Sequence, residues 1–297
     1  MIEAMQFGWT PAPAEVEKLL AQGLSRPLMG ELTLDDKKDT FLYNVFRAAT
    51  GRDAPKGPQG IGDCVSWGWS NLINYIQACQ IEQAKKAGTV VPEYQEIATE
   101  ATYAFSRVEF GNLDGSYSDG SVGAWAAAAA KNGGYLSRKY LASKGLSPDY
   151  DKNRAKQWGA KGVPDEFEPE ARLHLCKSVA LVQSFDEAAT FIQNGYPVAV
   201  CSDQGFSMTR DSQGFCRAQG TWYHCMLFMA VRFDRPGLCC SQSWGANTPD
   251  GPLVLGQPDN TFWVDAPVVT KMLRQRDSFA GSPFDGYMPQ DFTDWKH

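Results

Sequence analysis

The chain has 297 residues, 43% of them hydrophobic and 21% charged, with a formal net charge of −6 and a pI near 5.2. A chain of this length can bury a large core, as one domain or as two lobes. The acidic balance and the lack of a Lys/Arg stripe argue against nucleic acid as a partner. The longest apolar run, AWAAAAA at 124–130, is too short to cross a membrane, and the N-terminus lacks the pattern of a signal peptide. We therefore expect a cytoplasmic protein, with association with a virion as the alternative.

Cysteine and histidine usage bears on redox state and metal binding. The eight cysteines include no CxxC pair, and most lie in or beside apolar runs, which is typical of buried reduced thiols. The three histidines do not cluster. We therefore expect reduced cysteines, no metal site and no cofactor.

The first half of the chain has the pattern of helices. Short helical segments are predicted over 14–22 and 40–48, followed by an irregular loop rich in Gly and Pro. Apolar residues at steps of three and four then predict a long helix from about 64 to Gly88. Further helices are predicted over about 93–108 and 122–133, with a polar surface excursion over 142–175.

The second half has the pattern of a sheet. SFDEAATFIQNG predicts a short helix that opens with a Ser184/Glu187 capping box. Four apolar or alternating runs, YPVAVCS, YHCMLFMAVRF, GLCCSQSW and NTFWVDA, predict strands. Helices followed by strands indicate an α+β chain with a helical lobe, a sheet lobe and a cleft between them.

The stretch PQGIGDC places Cys64 where a tight loop meets the long helix. Unpaired N–H groups at a helix N-terminus favour the thiolate, so Cys64 is a candidate nucleophile. The alternative is a buried core cysteine beside a capping residue. Asp63 could cap the helix, but its charge would oppose a thiolate next to it unless a cation lies close.

A nucleophilic thiol needs a base, and His224 is the best placed histidine. His297 is the last residue and His174 lies in the polar excursion, whereas His224 lies where a turn containing Gly enters an apolar strand. A structural histidine held by hydrogen bonds is the alternative.

The third group of a catalytic triad would come from the strand that follows His224. There Gln242 could orient the imidazole, and Trp244 could shield it from water. Pairing the two strands symmetrically about 234–237 sets Gln242 opposite Met229. A bulge or a strong shear is therefore needed to bring Gln242 to His224.

These segments, in this order, resemble the papain-like cysteine peptidases over about residues 55–275. QGIGDC is similar to the family's oxyanion glutamine, glycine loop and nucleophile, GTWYHCM to its histidine strand, and SQSWG to its Asn-Ser-Trp-Gly motif. The chain also resembles uncharacterised bacterial and bacteriophage-encoded members with a QSWG motif. The resemblance implies a papain-like two-lobed fold. Its parts would be an N-terminal extension (1–54) and a catalytic domain (55–297), with a helical lobe at about 60–145, an antiparallel sheet or barrel lobe at about 176–275 and a tail over 276–297.

The resemblance also implies a role for each matching residue. Cys64 would be the nucleophile, His224 the general base and then the acid, and Gln242 the group that orients the imidazole. The Gln59 side chain and the Cys64 backbone N–H would bind the oxyanion. Gln242 stands where the family has asparagine, Gln59 is one residue closer to the cysteine than usual, and Ile61 replaces a cysteine that forms a disulfide in secreted members.

Two classes of function follow as hypotheses. The first is a cysteine hydrolase that cleaves peptide or amide bonds of a peptide or protein substrate through a thiolate–imidazolium pair and an acyl-enzyme intermediate. The second is a catalytically weak or inactive papain-like scaffold with a structural or binding role, for example among the structural proteins of a bacteriophage particle. Neither involves nucleic acid or a membrane.

Overall fold

The computed structural model describes residues 5–25, 32–290 and 292. The helices are α1 (Pro13–Ala21), α2 (Leu42–Thr50), α3 (Cys64–Ala87), α4 (Thr99–Ala104), α5 (Gly123–Asn132), α6 (Arg138–Ser143), α7 (Lys152–Lys161), α8 (Glu168–Ala171), α9 (Phe185–Gln193) and α10 (Ala266–Leu273). The strands are β1 (Thr40–Phe41), β2 (Ser178–Leu181), β3 (Val198–Arg210), β4 (Cys216–Arg232), β5 (Gly237–Ser241), β6 (Thr261–Asp265) and β7 (Phe279–Ser282). A π-helical turn (Phe105–Glu109) extends α4, and a 3-10 turn (Asp165–Phe167) precedes α8. His297 lies outside the described residues.

The strands of the described residues form one antiparallel sheet in the order β2-β7-β3-β4-β5-β6, with β1 paired to β4. The sheet is open and not closed into a barrel, and the predicted α+β class is confirmed. Strand β7 lies between β2 and β3, although its residues fall in the segment for which we predicted a tail. This segment is therefore part of the sheet, because Val179 and Val198 both pair with it.

Helix α3 packs directly on β4, and this contact positions the N-terminus of the helix. Gly68 lies one turn after the start of α3, and a Cβ there would be 2.8 Å from the Cys225 Sγ atom and 3.2 Å from the Met226 carbonyl oxygen. Only glycine permits so close an approach of a helix to a strand. The first turn of α3 consequently lies against the middle of β4.

The N-terminal extension is packed into the same core and is not a separate appendage. In α2 the side chains of Leu42, Val45 and Phe46 are buried, and β1 pairs with β4 through Phe41 and Ala230. Removing residues 40–50 would therefore expose core surface on the sheet.

The segment 142–175 differs most from its prediction as a surface excursion. It contains α7 and α8, and its Trp158 and Phe167 side chains are buried in a second apolar cluster with Phe105 and Ala101. The reason is that small and apolar residues at helical spacing pack on α4, while Lys152 and Lys161 of α7 are exposed. The helix predicted from about 93 begins only at Thr99.

Two local predictions are confirmed. Ser184 is the N-cap of α9 as predicted, since its Oγ accepts from the Glu187 backbone N–H. The Glu187 carboxylate accepts from the N–H of Gln183, the residue before the cap, and not from that of Ser184. All eight cysteines lie in the described ranges, and each is a buried free thiol. Within residues 5–25 and 32–290 no helix has the length and apolarity that crossing a membrane requires.

Candidate active site

Cys64 is the first residue of α3 and is fully buried against β4. Its Sγ atom accepts a hydrogen bond from the Cys225 backbone N–H at 3.3 Å. Because Cys225 follows His224 directly, the sulfur lies against the β4 backbone one residue after His224. The Cys64 and Val65 N–H groups precede the first hydrogen bonds of the helix, which Ser66 and Trp67 donate to the Asp63 carbonyl. These two N–H groups favour negative charge at this end of α3.

His224 lies in the middle of β4, paired with Ser202, and is fully buried. The strand begins at Cys216, earlier than the predicted turn. Trp244 stacks on the imidazole, with ring centroids 4.5 Å apart and an interplanar angle of 21°. Neither ring nitrogen of His224 has a hydrogen-bond partner among the residues that the structure describes.

Gln242 approaches His224 only part of the way. A β-bulge between Phe228 and Ala230 shifts the hairpin register, so that Leu227 pairs with Ser241 and the strand ends just before Gln242. The register is therefore shifted in the required direction, but its continuation would place Gln242 opposite Met226 and not His224. The Gln242 amide, however, is used locally, because its Nε2 donates to the Asn247 carbonyl at 2.8 Å and its Oε1 accepts from the Trp244 N–H. In this arrangement it does not orient the imidazole.

Gln59 is buried beside the start of α3, where the loop before the helix meets the SQSWG segment. Its backbone N–H donates to the Ser243 carbonyl at 2.9 Å, and its side-chain Oε1 accepts from the Ser243 hydroxyl. Its Nε2 donates to the carbonyl oxygens of Ile61 at 3.0 Å and Gln6 at 3.3 Å. The predicted oxyanion donor therefore already binds a peptide carbonyl.

The Gln6 carbonyl belongs to a covering segment, residues 6–10, which crosses the site as an extended chain. The Gly8 and Trp9 N–H groups both donate to the Tyr223 carbonyl at 3.1 Å, and the Gly8 carbonyl accepts from the Ser121 N–H at 2.7 Å. The Trp244 indole N–H also donates to the Gln6 carbonyl, at 2.9 Å. The site thus binds a peptide backbone from both of its sides.

The side chain of Phe7 closes the site over the imidazole. Its ring packs edge-on against His224 and Trp244, with centroids 6.0 Å and 5.6 Å away. At the next position a Cβ on Gly8 would lie 1.9 Å from the Gly62 carbonyl oxygen. The covering segment can therefore lie this deep only with glycine at that position.

A buried carboxylate anchors the covering segment. Asp277 accepts from the Trp9 indole N–H at 2.7 Å and from the Gly123 N–H, at the start of α5, at 2.8 Å. Burial raises the pKa of Asp277 to about 7. Through Asp277, the covering segment is thus linked by hydrogen bonds to the start of α5 and to the segment that precedes β7.

Burial sets the charge state of the site in this covered arrangement. It raises the pKa of the Cys64 thiol, with the neighbouring Cys225 thiol adding to the rise, and it lowers the pKa of His224 to about 3. Both groups are therefore neutral at pH 7. Burial also raises the pKa of Asp63 to about 8, against the opposing effect of a hydrogen bond from Tyr150. Asp63 does not cap α3 with its side chain, and its charge contributes to the rise in the pKa of Cys64.

Several residues at the site were missed by the sequence analysis. Phe7 and Gly8 belong to a segment that contacts the rest of the chain mostly through backbone atoms. Such contacts produce no side-chain pattern in the sequence. Tyr150 reaches the site from the presumed surface excursion. The short FGW stretch, with a glycine between two aromatic residues, is a signal that could have directed attention to the covering segment.

Solved structures of cysteine proteases have the same fold as this chain. Procathepsin B S9 from Trypanosoma congolense aligns with a TM-score of 0.59 at 9% identity, covering 94% of this chain and 87% of the other. Xylellain, a cysteine protease from Xylella fastidiosa, aligns with a TM-score of 0.57 at 13% identity, covering 94% of this chain and 92% of the other. The chain therefore has the papain-like fold, as the sequence predicted. No protein-family model and no curated protein sequence matches it.

Proposed function

We propose that the chain is a papain-like cysteine hydrolase acting on peptide or amide bonds, held in a covered state by its own residues 6–10. The observation that carries the proposal is the position of Cys64. Its sulfur lies at the N-terminus of α3 and against the backbone of the residue that follows His224. The papain-like fold supports the same assignment.

The proposed chemistry begins when the covering segment leaves and water reaches the two groups. Solvation raises the pKa of His224 and lowers that of Cys64, so that the thiol proton passes to the imidazole. The thiolate sulfur then forms a bond to the substrate carbonyl carbon, and the oxyanion is bound by Gln59 Nε2 and the Cys64 N–H. The C–N bond breaks as His224 gives its proton to the leaving amine. Water then cleaves the thioester, with His224 accepting its proton.

The covering segment supports a peptide as the substrate class. Its Gln6 carbonyl is bound by the Gln59 amide and the Trp244 indole, and its N–H groups are bound by the Tyr223 carbonyl. These partners recognise an extended backbone without selecting side chains. A substrate peptide would use the same donors and acceptors once the covering segment has moved.

The test is reactivity of Cys64 in the full-length chain carrying Gly8→Ala. We expect this variant to hydrolyse fluorogenic peptides. We also expect iodoacetamide to modify Cys64 at a pH of about 5, where an ordinary thiol with a pKa near 8.5 is protonated. Mass spectrometry of the peptide containing residue 64 measures the modification, and Cys64→Ala in the same background is the blank. Failure of both readouts in a folded protein would refute the proposal.

Gln59→Ala is expected to lower kcat for peptide hydrolysis by about 10²–10³-fold, because one oxyanion donor is lost. The rate of Cys64 alkylation should change little, since alkylation creates no oxyanion. The two rates measured in the Gly8→Ala background provide the comparison. Gln257→Ala, which removes a buried glutamine whose amide is hydrogen-bonded to Thr261, is the matched control. Equal losses in both rates would assign Gln59 a packing role only.

The inactive scaffold is the second candidate function. The specific observation in its favour is that the Gln242 amide is engaged by Asn247 and Trp244, so that no side chain among the described residues orients His224. An unreactive Cys64 in the Gly8→Ala variant would favour this candidate. Membership of a bacteriophage particle stays a prediction.

A further inference from the structure

The side chain of Tyr150 joins the two ends of the loop that leads to Cys64. Its hydroxyl accepts from the Gly60 N–H at 3.0 Å and donates to the Asp63 Oδ2 atom at 2.9 Å. Gly60 follows Gln59, and Asp63 precedes Cys64. One hydroxyl therefore sets the separation of the two proposed oxyanion donors, which lie at opposite ends of this loop.

The ring of Tyr150 is fixed as well as its hydroxyl. It packs against Trp67 in the first turn of α3, with ring centroids 5.2 Å apart. Together with Gln59 and Gly60 it lines an open groove of about 540 Å³ next to the covering segment. Tyr150 thus contacts both the loop before Cys64 and the helix that carries Cys64, and it borders the groove beside the site.

A buried ion cluster holds the turn that carries Tyr150. The Glu100 carboxylate is fully buried and accepts from Arg154 Nη2 at 2.6 Å, Arg138 Nη1 at 3.2 Å and the Asp151 backbone N–H at 2.9 Å. The two arginines also donate to carbonyl oxygens of the turn, those of Ser147, Pro148 and Asp149. Because a buried ion cluster loses much stability when one partner moves, the turn has little freedom.

We propose that Tyr150 is a positioning residue for hydrolysis at Cys64, holding the loop 59–63 in the shape that aims both oxyanion donors at one point. This inference rests on the proposed function. Oxyanion stabilisation needs donors placed to within about 0.5 Å, and a misplacement of about 1 Å costs up to about 10²-fold in rate. The hydroxyl that bridges Gly60 and Asp63 supplies this constraint from a different part of the chain.

The test is Tyr150→Phe in the full-length Gly8→Ala background, which keeps the ring against Trp67 and removes only the hydroxyl. We expect kcat for peptide hydrolysis to fall by about 10- to 100-fold with KM changed less than about twofold. Alkylation of Cys64 by iodoacetamide should keep its rate, because that reaction forms no oxyanion. Tyr140→Phe, which removes a hydroxyl from α6 in the second apolar cluster, is the matched control and should keep both rates.

A pair of variants at Asp63 keeps the inference testable if Tyr150→Phe does not fold. Asp63→Asn retains an oxygen that accepts from the Tyr150 hydroxyl, whereas Asp63→Leu has similar size and no acceptor. We expect the leucine variant to lose at least about tenfold more kcat than the asparagine variant at equal thermal stability. Unchanged kcat in Tyr150→Phe, or equal kcat in the two Asp63 variants, would overturn the inference while leaving the hydrolase intact. A folded Gly8→Ala parent that neither hydrolyses peptides nor is alkylated at Cys64 at a pH of about 5 would overturn both.

Discussion

Replacing Gly8 with alanine is expected to raise the alkylation rate of Cys64 and the rate of peptide hydrolysis by about 5- to 150-fold. The added Cβ would lie 1.9 Å from the Gly62 carbonyl oxygen and 2.3 Å from its carbon, and neither backbone atom can move cheaply. An overlap of this kind typically costs about 1–3 kcal/mol. If the covering segment leaves instead, this cost raises the population of the uncovered state by about 5- to 150-fold. Initial rates under identical conditions measure the effect.

Gly23→Ala is the matched control for this variant. Gly23 lies in the same N-terminal part of the chain, just after α1, and nothing lies within 4 Å of a Cβ placed there. Its φ of +64° adds local strain, so the control also shows what a strained Gly-to-Ala change does away from the site. Equal rates for Gly8→Ala and the parent chain would mean that residues 6–10 do not limit access to Cys64.

Alanine at Cys64 or at His224 is expected to lower peptide hydrolysis in the Gly8→Ala background by roughly 10⁴-fold or more, because nucleophile and base act as one unit. For the same reason the double variant should be no slower than either single variant. A thermodynamic cycle of kcat/KM over the three variants measures this coupling.

Two further substitutions are controls that remove a thiol or an imidazole elsewhere in the chain. Cys79→Ala removes another buried thiol of α3, far along the helix, and His174→Ala removes an imidazole that is 53% exposed. Both should keep activity near that of the parent. Independent, multiplicative losses at Cys64 and His224 would show that the two groups do not work on the same step.

The sequence was sufficient for elements whose signal is local. Apolar spacing predicted α3, and its end at Gly88 agrees with a left-handed φ of +64° there. The elements carrying Cys64 and His224 followed from the same kind of signal. These features depend on residues a few positions apart, so a single sequence records them.

The features that escaped prediction depend on contacts between distant parts of the chain. Trp158 in α7 is buried although the stretch around it is polar, because it packs against Phe167 and the face of α4. The covering segment reaches the site through backbone atoms, and the Tyr150 hydroxyl reaches Gly60 and Asp63 in the loop before Cys64. Gln242 fits the family motif in order, yet its local hydrogen bonds to Trp244 depend on how the following turn folds.

The place of β7 in the sheet bears on how the protein emerges from the ribosome. Strand β7 lies between β2 and β3, so these two earlier strands have no pairing partner between them until residue 282 has been synthesised. The chain up to residue 282 must therefore be translated before the sheet that contains His224 is complete. Residues 6–10, in contrast, emerge before every strand of this sheet, so the nascent chain contains its own cover before a reactive thiol can be assembled.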